Sequence, residues 1–150
     1  MKHIANRIFV FKVALKYQKR VWRKIAIRGD QSLAVFHDAI FKAFNRYDEH
    51  LYSFYFSSKP RSTSRDRLQG ARRYGCPYSE DDDEAESTSI DSLRLPLKAQ
   101  FEYLFDYGDE WWHEITLEEI QDPRPDWTYP CVIAASKGEP PPQYEDADDY

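Results

Sequence analysis

Residues 101–120, FEYLFDYGDEWWHEITLEEI, decide the fold. Apolar and polar side chains alternate on both sides of a turn that carries acid around a glycine. Phe101, Tyr103 and Phe105 share one face before the turn. Trp111, His113, Ile115 and Leu117 share one face after it, with Trp112, Glu114, Thr116 and Glu118 opposite. A period of two is that of a half-buried strand, because successive side chains leave a pleated strand on opposite sides. The stretch therefore reads as a β-hairpin, with strands over 98–106 and 110–120. At its tip Asp106 and Asp109 flank Tyr107 and Gly108. Aspartate accepts backbone N–H bonds in turns, and glycine is expected there to supply positive φ.

Working outward, Arg7 to Tyr17 alternates in the same way, with Phe9, Phe11, Val13 and Leu15 on one face. A polar turn at Gln18–Arg20 leads into a second strand to Arg28. There Val21, Arg23, Ile25 and Ile27 lie on one side and Trp22 on the other, where a bulge could re-aim it. Gly29 and Asp30 break the pattern. Ser32 or Asp30 then caps a helix over about 32–44, with Leu33, Phe36, His37, Ile40, Phe41 and Phe44 at helical spacing and Asn45 as its stop. A strand follows over 47–56 and a short last one over 131–135. The expected class is α+β: a mostly antiparallel sheet with one principal helix packed on it.

The chain has 150 residues, 41% apolar and 16% aromatic, which suits one domain with a real core. No run approaches the roughly 18 apolar residues of a membrane helix. Lys12 and Lys16 interrupt any signal-peptide core, so the start reads as a strand of a cytoplasmic protein. Cys76 and Cys131 have no metal-site spacing and read as free thiols. Residues 57–87 are so charged that a long flexible loop is expected, with its basic and acidic arms in passing contact. Residues 139–150 read as a frayed, acidic, proline-containing tail. Charge is divided sharply: residues 1–73 hold 17 Lys+Arg against 5 Asp+Glu, and residues 74–150 hold 4 against 21. Strands paired between the halves would interleave and neutralise these charges.

Two functional readings follow. Arg20, Trp22, Arg23 and Lys24 set an aromatic ring among cations, a combination suited to nucleic acid. The rival uses Asp106, Asp109, His113 and His50: two carboxylates and two imidazoles at one end of the sheet would suit acid–base work or a divalent metal in a hydrolase-like enzyme. His113, on the apolar face beside Trp111 and Ile115, reads first as a satisfied core residue. The sequence holds no phosphate loop, zinc-protease helix or nucleophile elbow. It therefore leans away from an enzyme and implies no cofactor and no defined metal set.

Several segments together resemble one family: VWRKIAI (21–27), FHDAIFKAF (36–44), YDEHLYSFYF (47–56), the 101–120 hairpin and YPCV (129–132). The chain is similar to the plasmid pRiA4b ORF-3-like family. Its motif positions fall on Trp22, Arg23, His37, His50, Leu51, Phe54, Asp106, Gly108, Asp109, Trp111 and His113. The resemblance implies an α+β domain and an association with plasmids and transposable elements, without an established activity. It makes the leading reading a binding module that contacts nucleic acid or a protein partner of a mobile element, with a homodimer as one possible form. The chain departs from the pattern after YPCV, where SKGEPPPQYEDADDY replaces a cysteine- and glycine-containing ending.

Overall fold

The computed structural model describes residues 7–57, 71–76 and 82–144. Its strands are β1 (Ile8–Leu15), β2 (Gln18–Arg28), β3 (Tyr52–Phe56), β4 (Arg72–Gly75), β5 (Asp83–Glu84), β6 (Gln100–Phe105), β7 (Trp111–Gln121) and β8 (Cys131–Ala135), with one helix, α1 (Leu33–Ala43). They form one sheet in the order β5-β4-β3-β6-β7-β1-β2-β8. Every pair is antiparallel except β4–β5. The expected α+β class holds, and both the hairpin and the final strand lie where alternation put them.

Alternation also settles the faces. Phe9, Phe11, Val13 and Leu15 of β1, Ile25 and Ile27 of β2, and Phe101, Tyr103, Phe105, Ile115 and Leu117 of the β6–β7 hairpin enter one core with the inner stripe of α1. That stripe is Leu33, Phe36, Ile40 and Phe44, all at most 1% exposed. Burying each such side chain is worth about 1.5–3 kcal/mol, so packing on the sheet rather than propensity holds this short helix. Ser32 caps it, its Oγ accepting from Val35 N at 3.2 Å. Asn45 ends it in the left-handed region (φ 57°), with Asn45 N donating to Lys42 O and Arg46 N to Phe41 O. This Schellman closure turns the Arg46 side chain inward.

The outer face carries the charge beside a small buried cluster of Ile8, Val10 and Ala26. Lys16, Lys19 and Lys24, from the β1–β2 hairpin, pair with Glu102 (2.5 Å), Glu114 (3.3 Å) and Glu118 (3.0 Å) of β6 and β7. These three pairs join the basic and acidic halves of the chain across neighbouring strands. The exposed Lys19–Glu114 pair contributes about 0–1 kcal/mol, so it balances charge more than it stabilises. Trp22 stays on this face, with Lys12 and Lys24 over its ring at 5.2 and 5.8 Å. The bulge in this hairpin falls beyond Ala14, where Leu15 faces Gln18, and does not re-aim Trp22.

Two expectations need correction. The charged stretch over 57–87 contains strands β4 and β5, although residues 58–70 and 77–81 lie outside the described residues. Averaged composition hides Tyr74 and Ala85, which are buried in the core, and the two arms meet through Arg72–Asp83 (3.2 Å) and Arg73–Asp82 (2.8 Å). Gly75 makes room for this junction: a Cβ there would meet Tyr52 O at 2.8 Å and the Asp82 carboxylate closer still. Gly75→Ala is expected to cost about 1–3 kcal/mol, read as a lower urea midpoint, because neither the carbonyl nor the ion-paired acid can move away freely. The proline-containing tail is likewise anchored over 139–144. Gln143, 3% exposed, accepts from Tyr47 N and Asp48 N at 3.0 and 3.1 Å and donates to Asp48 O at 2.7 Å. A side-chain amide that satisfies three backbone groups leaves no signal in composition. Residues 145–150 lie outside the described part.

Candidate functional site

The four acid–base candidates do not converge. His113 is 1% exposed near the start of β7, its Nδ1 donating to Tyr103 O at 3.3 Å and its Nε2 3.4 Å from Arg46 Nη2. Burial first, and the Arg46 charge second, lower its pKa to about 3, so it is a neutral core histidine. Asp109 is exposed at the hairpin tip. Asp106, 6% exposed, spends its Oδ1 on the turn, accepting from Gly108 N at 3.0 Å and Asp109 N at 3.3 Å. Contrary to the sequence expectation, the left-handed residues here are Asp106 (φ 65°) and Glu110 (φ 54°), not Gly108. The Glu110 N to Asp106 O bond, 2.7 Å, closes the loop and sets those angles. Only His50 reaches the expected partner, with Nε2 3.6 Å from Asp106 Oδ2.

His50 instead opens onto a cleft of about 530 Å³ between α1, the 45–51 connection and β3, with His37, Asp38, Glu49, Cys76 and Glu86 among its walls. His37 projects from the inner flank of α1 and lies flat on Tyr52, centroids 3.7 Å apart and planes within 5°. Its two ring nitrogens are both engaged: Nδ1 lies 2.6 Å from Tyr103 Oη and Nε2 2.5 Å from Glu49 Oε1. Burial raises the Tyr103 phenol well above its usual range, so it stays protonated. The partners assign the tautomer: Tyr103 donates to Nδ1, and Nε2–H donates to the Glu49 carboxylate. His50 makes a second relay. Its Nε2 donates to Tyr144 Oη at 2.5 Å, and Tyr144 donates onward to Asp48 Oδ2 at 2.8 Å, a bond that pushes the Tyr144 pKa up to about 12. Phe105 stands between the two histidines, 6.0 Å from each ring.

Sequence reasoning placed His37 on the inward stripe and missed it as a site residue, and it missed Asp38, Glu49 and Arg46. The available signal was the Asp48-Glu49-His50 run just after a helix that carries a histidine. Arg46 is 6% exposed, its guanidinium 4.5 Å over Trp111 and 5.6 Å from the Phe105 centroid. Desolvation lowers its pKa to about 10, and it keeps its charge at neutral pH. Its Nη1 and Trp111 Nε1 have no hydrogen-bond partner among the described residues.

Strand alternation also divides the proposed basic patch. Arg23 turns inward, 8% exposed, with Nε donating to Ala43 O at 3.2 Å and Nη1 to Trp22 O at 2.8 Å. Lys24 is paired with Glu118, and Arg20 remains exposed. No helix among the described residues is long and apolar enough to cross a membrane.

The chain is similar in fold to the crystal structure of "Protein of Unknown Function MM3350 from Methanosarcina mazei Go1", with a TM-score of 0.74 and 21% identity over 92% of this chain and 73% of that one. At that identity the likeness concerns the fold alone. No curated protein matches. The family model for plasmid pRiA4b ORF-3-like protein matches residues 7–150, and the hairpin, the helix with His37 and the His50 connection all lie inside that span. The chain belongs to the plasmid pRiA4b ORF-3-like family.

Proposed function

We propose that the protein binds a small polar ligand in the His37–His50 cleft and acts on it by hydrolase-like acid–base chemistry. The observation that carries this reading is that both histidines wall one cleft, each with a ring nitrogen tied to a carboxylate, directly for His37 and through Tyr144 for His50. A histidine held in one tautomer can take and return protons in a fixed direction, an effect worth about 10²–10⁴-fold in rate. His50 is the acid–base group, since its side chain is 35% exposed while that of His37 is 4% exposed. The rival site at the hairpin tip contributes Asp106, which faces His50 from below. The two free cysteines support a reducing, cytoplasmic setting as part of the proposal. In an assay across ester, amide and phosphoester substrates, His50→Gln is expected to lower turnover about 100-fold or more. Turnover that is unchanged in His50→Gln, or absent for every substrate class, would count against the reading.

A second reading keeps nucleic acid as the partner. It is favoured by the β1–β2 hairpin tip, where Tyr17 is 77% exposed beside exposed Lys19 and Arg20. An exposed ring among cations suits stacking on an unpaired base. Single-stranded DNA and RNA are then expected to bind more weakly as salt rises, and Arg20→Ala to reduce the salt slope by about one. Binding indifferent to salt excludes this reading.

A further inference from the structure

We propose that the corner of the cleft formed by His37, Asp38 and Glu49 is a binding site for a divalent transition-metal ion, with Zn²⁺ or Mn²⁺ the chemistry it fits. The inference deepens the cleft reading and rests on it only for the ligand that would occupy the open side.

Three observations carry it. First, the three residues offer His37 Nε2 and one oxygen of each carboxylate, all within 4.8 Å of one another. Nε2 is 2.5 Å from Glu49 Oε1 and 4.0 Å from Asp38 Oδ1. An ion about 2.0–2.2 Å from each atom holds its ligands roughly 3–3.5 Å apart, so Glu49 must retreat and Asp38 approach by less than about 1 Å each. Both carboxylates can do so, because their side chains are 59% and 66% exposed. Second, the imidazole is fixed from behind. His37 is stacked on Tyr52 and its Nδ1 is held by the Tyr103 hydroxyl, so Nε2 is aimed at the corner without further ordering. A ligating histidine needs such a partner on its other nitrogen, and Nδ1–H can donate to the Tyr103 oxygen once the ring proton has moved there from Nε2. Third, three protein ligands leave further positions open, and they open into a cleft of about 530 Å³ that His50 also lines. One nitrogen and two oxygens form a borderline-to-hard donor set, suited to Zn²⁺ or Mn²⁺ rather than Cu⁺.

Binding moves the ring proton from Nε2 to Nδ1, where the Tyr103 hydroxyl oxygen accepts it, so the Nε2–H···Oε1 hydrogen bond gives way to metal–ligand bonds with no net proton released.

The test is calorimetric titration of the full chain with Zn²⁺ and with Mn²⁺ after dialysis against a chelator. One site per chain is expected. Asp38→Asn and Glu49→Gln alter exposed side chains and should fold as the wild type does, checked by thermal melting; each is expected to weaken binding at least tenfold. His50→Gln should leave affinity within about twofold. The absence of binding overturns the proposal, as does binding that Asp38→Asn and Glu49→Gln leave unchanged. The two readings fail separately. Hydrolysis in chelator-treated protein, together with no binding in the titration, supports the cleft and overturns the ion. Ion binding at this corner without hydrolysis supports the ion and removes the acid–base reading.

Discussion

Between pH 6.5 and about pH 3 the protein is expected to lose up to about 1.4 kcal/mol of folding free energy per pH unit through His113. The sign follows from the two states. In the unfolded chain His113 titrates near its ordinary 6.5; in the fold, burial and then the Arg46 charge hold it near 3. Between those values the unfolded chain carries a proton that the folded one does not, so acid draws the equilibrium towards unfolding. The stabilising contribution is whole above pH 6.5 and is lost progressively down to about pH 3. Urea unfolding of the wild type and of His113→Gln across this range is the measurement. The variant is less stable at pH 7, because it vacates a ring packed 5.1 Å from Phe44 and 5.0 Å from Tyr103, but its pH slope in the window is expected to be shallower. Parallel slopes would show that His113 is protonated in the fold.

The second large effect is at Arg46. Arg46→Ala is expected to cost about 3 kcal/mol. The truncated side chain is 6% exposed and packs its guanidinium over Trp111, Phe105 and Phe44. A desolvated cation–π contact contributes about 2 kcal/mol, and the emptied volume adds a cavity cost. Arg46→Met should be much milder, within about 1 kcal/mol of the wild type, because it refills the space and removes Nη1, a buried donor without a partner among the described residues. The same substitution removes the nearest cation from His113. Its pKa is then expected to rise, and the window of acid sensitivity to narrow. The two sites should therefore be non-additive in a double-mutant cycle, as expected for residues 3.4 Å apart.

Much of this architecture was written in periodicity. β2, β6, β7 and α1 each bury mainly one face, and a one-faced element repeats its apolar residues at a readable spacing, whereas β1 buries both faces, with Ile8 and Val10 in a second small cluster. Pairing of charges between the two halves, as at Lys16–Glu102, Lys19–Glu114 and Lys24–Glu118, follows from strands of both halves lying side by side. β4 and β5 were not legible. They are four and two residues long, and one tyrosine and one alanine hold them within a charged stretch. The anchoring of residues 139–144 was hidden because it depends on the backbone shape at Tyr47 and Asp48, which no spacing rule encodes.

The site was half legible for a related reason. His113 was correctly read as core because alternation settles the side of a strand residue. His50 was singled out from the sequence, but its partners lie on the 45–50 connection and at Tyr144, brought together only by tertiary folding. His37 sat on a stripe that reads as apolar packing, and two of its faces are packing. What distinguishes it is a third direction, towards Glu49, that helical spacing alone does not reveal.

The proposed ligand site is the cleft walled by His37, Glu49 and His50. Crystallographic fragment screening of the full chain with small carboxylates, phosphates and amides tests whether the ligand binds there. Fragment density is expected within the cleft of about 530 Å³, in contact with His50 or Glu49. Fragments that gather instead in the groove between α1 and β8, near Lys42 and Tyr129, and leave the cleft empty would contradict it.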